Sequence, residues 1–520
     1  MGVSFRDCRL FAAVLLYSKV AALLRKGPAC AQGNEIMYKA QLFPVATGLI
    51  QGYPIGIVHS VKPRGEYIVG TGQPTEQRRG YNKTVCVVLA LALGLAAAVG
   101  LFRWRAGSQL RSRIEQIRAA GYPASAAELD QWYSIPEGAE NAAEIVLEAA
   151  SRYKKPARQE LLPVVGRAVW PKHPDTLSGE TRKLVQEFLA ENKETLEILH
   201  ELVGMEHGRY PVDLSLGLEA LMPYLAEIRD LARLLSLNAL WYAEENDAEA
   251  AVKSTLAVFG LAGSLADEPL ITSQLVRFAS EEIGVSSIEA VINRAELGDG
   301  QLAQLSRAVA QNQDRDSLLR ALVGERAVVL ECMERPADAL LRPLSGRPVA
   351  LSSLLMILYE GVGLSRRGAV IYVDLVEEVL KALSLPEHRR VPAVKAVEAK
   401  LAEIPKVYWT VHMVTPAYSR IVEVGLRNTA HLRVARTALA VERYRLAEGK
   451  LPEGLTALAP DYLDAVPKDP FDGQDLRFKR LEKGYVVYSI GGDCSDDGGK
   501  QRDPESNRRE NWDVTFTVER

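Results

Sequence analysis

The stretch "ERYRLAEGKLPEGLTALAPDYLDAVPKDPFDGQ", residues 442–474, decides how the end of this chain is read. Gly449 is placed to stop the helix that enters it, and Pro452 just beyond prevents its continuation. Next, "EGLTALAPDYL" spells a short helix or turn, and "PKDPFDGQ" packs two Pro and an Asp-Gly pair into a reversing loop. The helix leading in, "HLRVARTALAVERYRLAEGKLP", carries Leu432, Ala435, Ala438, Leu439 and Leu446 on roughly one side, with Arg433, Arg436, Arg443 and Arg445 elsewhere. Downstream, "LRFKR", "YVVYSI" and "DVTFTVE" are period-2 or β-branched runs between turn-formers, which predicts three short antiparallel strands. A long helix lying over such a small sheet makes an α+β unit.

The remainder of the 520 residues exceeds one hydrophobic core, so two or three folded units are expected. Apolar residues at 48% and charged residues at 25% sit near globular averages. Net charge is −3, unevenly placed: residues 1–80 are +6 and the rest −9. An acidic body offers no electrostatic case for nucleic acid, whose affinity comes largely from neutralised phosphates. The cysteines Cys8, Cys30, Cys86, Cys332 and Cys494 contain no C-x-x-C and suggest neither a disulfide framework nor structural zinc.

Residues 84–102, "TVCVVLALALGLAAAVGLF", run for 19 residues without a charge, enough to cross about 30 Å of hydrocarbon as a helix. One transmembrane helix is predicted. Basic residues flank it almost equally, four in 64–83 and five in 103–122, so charge does not orient it. Residues 1–83 form a tail of doubtful status, with a signal-like "LFAAVLLYSKVAALL" interrupted by Lys19; an export signal and a misassigned start both account for it.

Residues 103–415 read as a helical domain of packed hairpins. Leu110, Ile114 and Ile117 recur at helical spacing, and Ser125 with Glu128 matches a capping box. The segment 234–269 looks like one tetratricopeptide hairpin through Ala248, Ala250, Ala251 and Ala257, but no second copy follows. "VALSSLLMILYEGVG", 349–363, is too short to span a bilayer and reads as a buried helix.

Motifs for chemistry are sparse. His200 and His207 lie seven apart, a spacing that puts both on one helical face, but H-E-x-x-H would need His at Gly204. "GVGLSRRG" is not a nucleophile elbow, and neither phosphate-binding glycine motif occurs. The acid pairs Glu281 and Glu282, and Glu377 and Glu378, read as solvated helix faces. Enzymatic function is not indicated.

The order of elements from about 430 to 520 resembles the C-terminal domain of the major pseudopilin of type II secretion systems. The matching residues are Tyr444, Arg445, Gly449 and Pro452 at the helix end, then Gly454, Leu455, Tyr462 and Leu463. Pro467, Asp469, Pro470 and Phe471 follow in the loop, and Tyr488, Ser489, Ile490, Gly491 and Asp493 at the strand end. The family's N-terminal Gly-Phe-Thr-Leu-Ile-Glu type motif is absent. The resemblance implies an α+β fold with an acidic loop that binds calcium, here "GGDCSDDGGKQRDPESNRRENWDV", with Asp493 and Asp513 as ligands and Ser489 and Ile490 at the strand end that supplies further oxygens. Carboxylates on a Gly-rich loop suit calcium's need for six to eight oxygens. "DCSDDG" also begins like an EF-hand loop, but Pro504 stands at its twelfth position.

The expected chain is thus mostly α: tail 1–83, transmembrane helix 84–102, helical domain 103–415 and pseudopilin-like α+β domain 416–520. The expected role is that of a membrane-anchored, extracytoplasmic structural or interaction protein of a bacterial envelope, with calcium as cofactor and envelope proteins as partners. The competing readings are an envelope hydrolase built around His200 and His207, and a helical-hairpin scaffold for protein partners.

Overall fold

The computed structural model describes residues 83–171, 175–205, 207–313, 316–334, 357–500 and 512–519. The signal-like tail, most of the 349–363 segment and the centre of the acidic loop lie outside them. The chain divides into two units at Ala98 and Val99.

The first helix, α1 (Lys83–Ala119), contains the apolar run, and its residues up to Ala98 are all exposed. Its later turns bury Ala106, Gly107, Leu110 and Ile117. Short helices α2 (Ala126–Trp132), α3 (Ala142–Arg152), α4 (Gly179–Glu191) and α5 (Lys193–Leu199) follow. Ser125 caps α2 by accepting from Glu128 N at 3.3 Å, while Glu128 reaches one residue further back than a capping box requires, to Ala124 N at 2.9 Å.

A hairpin of α6 (Tyr224–Glu244) and α7 (Ala248–Gly263) turns through Asn246, at φ 59, and Asp247, whose carboxylate accepts from Ala250 N at 3.0 Å. It packs on α8 (Ile271–Ile292), which shares its buried residues between two core clusters. Helices α9 (Asp299–Gln313), α10 (Ser317–Glu334), α11 (Leu364–Leu383), α12 (Glu387–Glu403) and α13 (Trp409–Val414) follow.

The last helix, α14 (Tyr418–Glu448), ends where expected: Gly449 is left-handed at φ 68 and its N–H returns to Arg445 O at 2.9 Å. The three predicted strands are present as β1 (Arg477–Leu481), β2 (Gly484–Ser489) and β3 (Val514–Glu519), antiparallel in that order. The chain is therefore mostly helical, with a short antiparallel sheet at its end.

Helix α14 covers the sheet with one face and packs against α8, α9 and α12 with others, so one hydrophobic core runs from Leu110 through to Val518. No residue of α14 from Tyr418 to Arg445 is exposed. Its arginines, expected away from the core, are docked rather than solvated. Arg433 pairs with Glu387, Arg443 with Asp299 and Arg436 with Asp464, each from another element. Leu446, placed on the apolar side in sequence, is instead exposed beyond the last buried turn.

The outer edge of β3 meets α8. Asn293 Nδ2 donates to Thr517 O (2.9 Å), Thr517 N to Glu289 Oε1 (3.1 Å) and Glu519 N to Asn293 Oδ1 (2.8 Å). Glu281, read as part of a solvated pair, is fully buried with Arg277 at 2.8 Å and Asn428 Nδ2 at 2.6 Å. The tertiary packing of α8 against α14 places it there, which spacing along one helix does not reveal. Glu281→Ala, which strips the buried guanidinium of its carboxylate, is expected to cost about 3–5 kcal/mol. The Arg277→Met, Glu281→Leu double variant should recover most of that loss in denaturant unfolding.

Candidate functional site

The reversing loop is organised by one carboxylate. Asp469 is fully buried and accepts four hydrogen bonds: from Phe471 N (3.0 Å) and Ser489 Oγ (2.8 Å) on Oδ1, and from Ile490 N (3.0 Å) and Arg477 Nη1 (2.8 Å) on Oδ2. Those four fill its acceptor capacity. The bond to Phe471 N is an Asx turn, the reason an Asp before Pro-Phe suits this position. Gly473, at φ 76, lets the loop return so that Asp469 N reaches Gln474 O at 2.7 Å. Arg477 bridges outward from Asp469 to Asp472 and lies 3.4 Å from Asp496, acting as the local counter-ion.

Each of the four residues expected as calcium ligands has its own hydrogen-bond partners in this arrangement. Ser489 is buried on Asp469, and Ile490 gives its N–H to the same carboxylate while its side chain enters the core. Asp493 is exposed and accepts from Ser495 N at 3.1 Å, a local turn. Asp513 is buried and accepts from Gly499 N at 2.8 Å. Burial raises the Asp513 carboxyl above its usual range, and the charges of Asp497 and Asp496 add to that rise. The negative charge suits a divalent cation. Among the described residues, however, no three His, Cys, Asp or Glu side chains converge to hold one. Asp469 and Arg477 are the residues that sequence reasoning undervalued; the Asp-Pro-Phe signal for a buried turn was present, but its partner eight residues on was not visible.

Beside this loop lies a groove of about 670 Å³, a volume typical of small-molecule sites. Glu387, His388 and Arg390 of α12 line it, with Arg433 and Arg436 of α14 and the Asp464–Asp469 loop. Arg433 donates to both oxygens of Glu387, at 2.6 and 2.9 Å, and to Lys468 O at 2.8 Å. Arg436 Nε is buried without a hydrogen-bond partner. Guanidinium groups of this kind pair with carboxylate or phosphate oxygens.

His200 and His207 do not share a face. Helix α5 stops at Leu199, a 3-10 turn covers His200–Leu202, and Gly204 at φ 88 redirects the chain. His200 Nε2 meets Ser254 Oγ at 3.1 Å, and His207 Nδ1 meets Asp267 Oδ2 at 3.1 Å. Ser254 is itself bonded to Ala250 O and accepts from Asn238, so it is a packed helix serine. Burial drives His200 down to about 4.

A further buried acid stands among tyrosines. The Tyr224 hydroxyl donates to Glu268, Tyr210 stacks on Tyr224 at 4.4 Å, and burial pushes Glu268 up to about 7. No protein-family model matches this chain, and no curated protein or solved structure matches it at a significant level.

Three outcomes follow from these contacts. Asp469→Ala should cost about 3–5 kcal/mol in chemical unfolding, because it strands three N–H or O–H donors and Arg477. Asp493→Ala should stay within about 0.5 kcal/mol of the parent. For Glu268, the folded chain holds its proton more tightly than the unfolded chain, whose carboxyl titrates near 4.5. Stability contributed by the neutral form is therefore lost as pH rises from about 4.5 to about 7. Glu268→Gln should be more stable than the parent at pH 8, by about 3 kcal/mol, and close to it at pH 5 in thermal unfolding.

Proposed function

We propose that this chain is a single-pass membrane protein of a bacterial envelope, whose helical body and pseudopilin-like C-terminal unit lie on the extracytoplasmic side. Their role is structural or interaction-based, linked to secretion or envelope assembly. The first part of α1 carries the reading. That helix is long and apolar enough to cross a membrane, and none of its most apolar 18-residue window is buried within the protein. A core helix would hide such a window against its neighbours.

The pseudopilin-like part of the proposal is supported by the succession of a helix ending at left-handed Gly449, the turn Leu455–Leu458, the loop closed on Asp469 and three antiparallel strands. Calcium is proposed for the acidic loop with Asp493 and Asp513 as ligands. Clustering of Asp496 and Asp497 near Asp513 supports this, since a cation would relieve their mutual repulsion. Ser489 Oγ and Ile490 N–H, held by Asp469, contribute to the loop's shape.

The full-length protein should remain with membranes after alkaline extraction; release into the soluble fraction would remove the anchor from the proposal. Asp464, wholly exposed, reports orientation. With the chain's own cysteines, of which Cys86 and Cys494 are exposed, replaced by Ala, an Asp464→Cys chain should react with an impermeant maleimide in intact cells, and reaction only after lysis would reverse the orientation. Calorimetric titration of the full chain with calcium should give saturable heat that Asp513→Asn abolishes, whereas a flat titration of the folded protein would eliminate calcium.

A further inference from the structure

The segment around Ile357 was expected to be a buried helix, and its described end is not. Residues 357–362 are helical, with Ile357 64% and Leu358 56% exposed, while Tyr359 turns inward. Two adjacent exposed aliphatic side chains are unremarkable alone. Their position is informative.

Arg103, the first residue after the apolar run, donates from Nη1 to Gly361 O at 2.8 Å. Contact continues at Gly363, where a Cβ would lie 2.8 Å from Arg103 Cγ. The left-handed φ of 91 at Gly363 then starts α11 in a new direction. The 357–363 segment is thereby fastened to α1 at the residue where its apolar character ends.

A second segment joins the first. Tyr359 hydroxyl meets Thr410 Oγ1 at 3.3 Å, and its ring lies 6.0 Å from that of Trp409. This brings α13 and the turn before it alongside, and there Val407 and Met413 are exposed while Tyr408 and Trp409 are half-buried. Trp104 is exposed on α1 directly after Arg103. Aliphatic side chains with Trp and Tyr, bordered by Arg103, Arg105 and Lys406, have the composition of protein surfaces that sit in the headgroup layer.

We propose that Ile357, Leu358, Val407 and Met413 form a lipid-contacting surface that seats in the bilayer interface. This rests on the membrane reading of α1. Continuity with the end of the apolar run is what assigns the surface to lipid rather than to a protein partner: a group bonded to Arg103 stands at headgroup depth when the run spans. Burial of these side chains by about 5–10 Å fixes the body's tilt at the membrane without a second crossing.

The test uses the full chain, its own cysteines replaced by Ala, reconstituted in phosphatidylcholine and phosphatidylglycerol vesicles. Single cysteines at Leu358→Cys, Met413→Cys, Leu93→Cys and Asp464→Cys each carry an environment-sensitive fluorophore. All four positions are exposed, so folding should be unaffected. Lipid bearing a shallow spin label should quench positions 358 and 413 roughly twofold or more over position 464, while aqueous iodide should do the reverse. If 358 and 413 follow 464 while 93 is quenched by lipid, the interfacial surface is overturned and the anchor stands. If position 93 also escapes quenching by lipid spin-labelled deep in its acyl chain, the membrane reading itself falls and the surface with it.

Discussion

The burial of α14 on every side is the constraint on which the rest of this protein depends. A helix without a solvent face must receive partners from several directions, and α14 receives α8, α9 and α12 as well as the sheet. Small residues make this close approach feasible: Ala430, Ala435, Ala438 and Ala440 are all buried. Three cations of the same helix, Arg433, Arg436 and Arg443, are matched to carboxylates of neighbouring elements, while Arg420 and Arg445 pair with glutamates of the helix itself. Charge pairing here sets register between elements more than it adds stability, since ion pairs that retain solvent access contribute little.

Local punctuation was legible in the sequence and mutual position was not. Gly449, Ser125, the three strands and the apolar run of α1 each depend on residues within a few positions of one another, and each is found where the sequence placed it. Glu281 was misread because a charged residue on a helix has two stable fates, solvent or a partner on another element. Spacing along the chain cannot distinguish these. His200 and His207 failed for a different reason: helical periodicity was extended across Gly204, whose left-handed conformation breaks it. At the acidic loop the residue types were visible, but the hub was Asp469, whose partners lie as much as 21 residues away.

The loop also shows how a chain can neutralise clustered acids with its own guanidinium. Arg477 reaches Asp469, Asp472 and Asp496 from a single strand position. A rigid planar donor with several N–H groups is suited to that task where Lys would not be. The strand end at Ser489 and Ile490 is positioned by this inner carboxylate.

The bonds from Asn293 and Glu289 to β3 have a consequence for assembly. A sheet edge with unpaired amides is a template on which another chain can add a strand. In β3 the Thr517 N–H, Thr517 C=O and Glu519 N–H are already taken by Glu289 of α8 and by Asn293 just after it, which hinders extension there. The opposite edge, β1, carries exposed Lys479 and Arg480, and like charges facing one another oppose pairing with a second copy. Fusion of copies crowded side by side is thus opposed at both edges of the sheet.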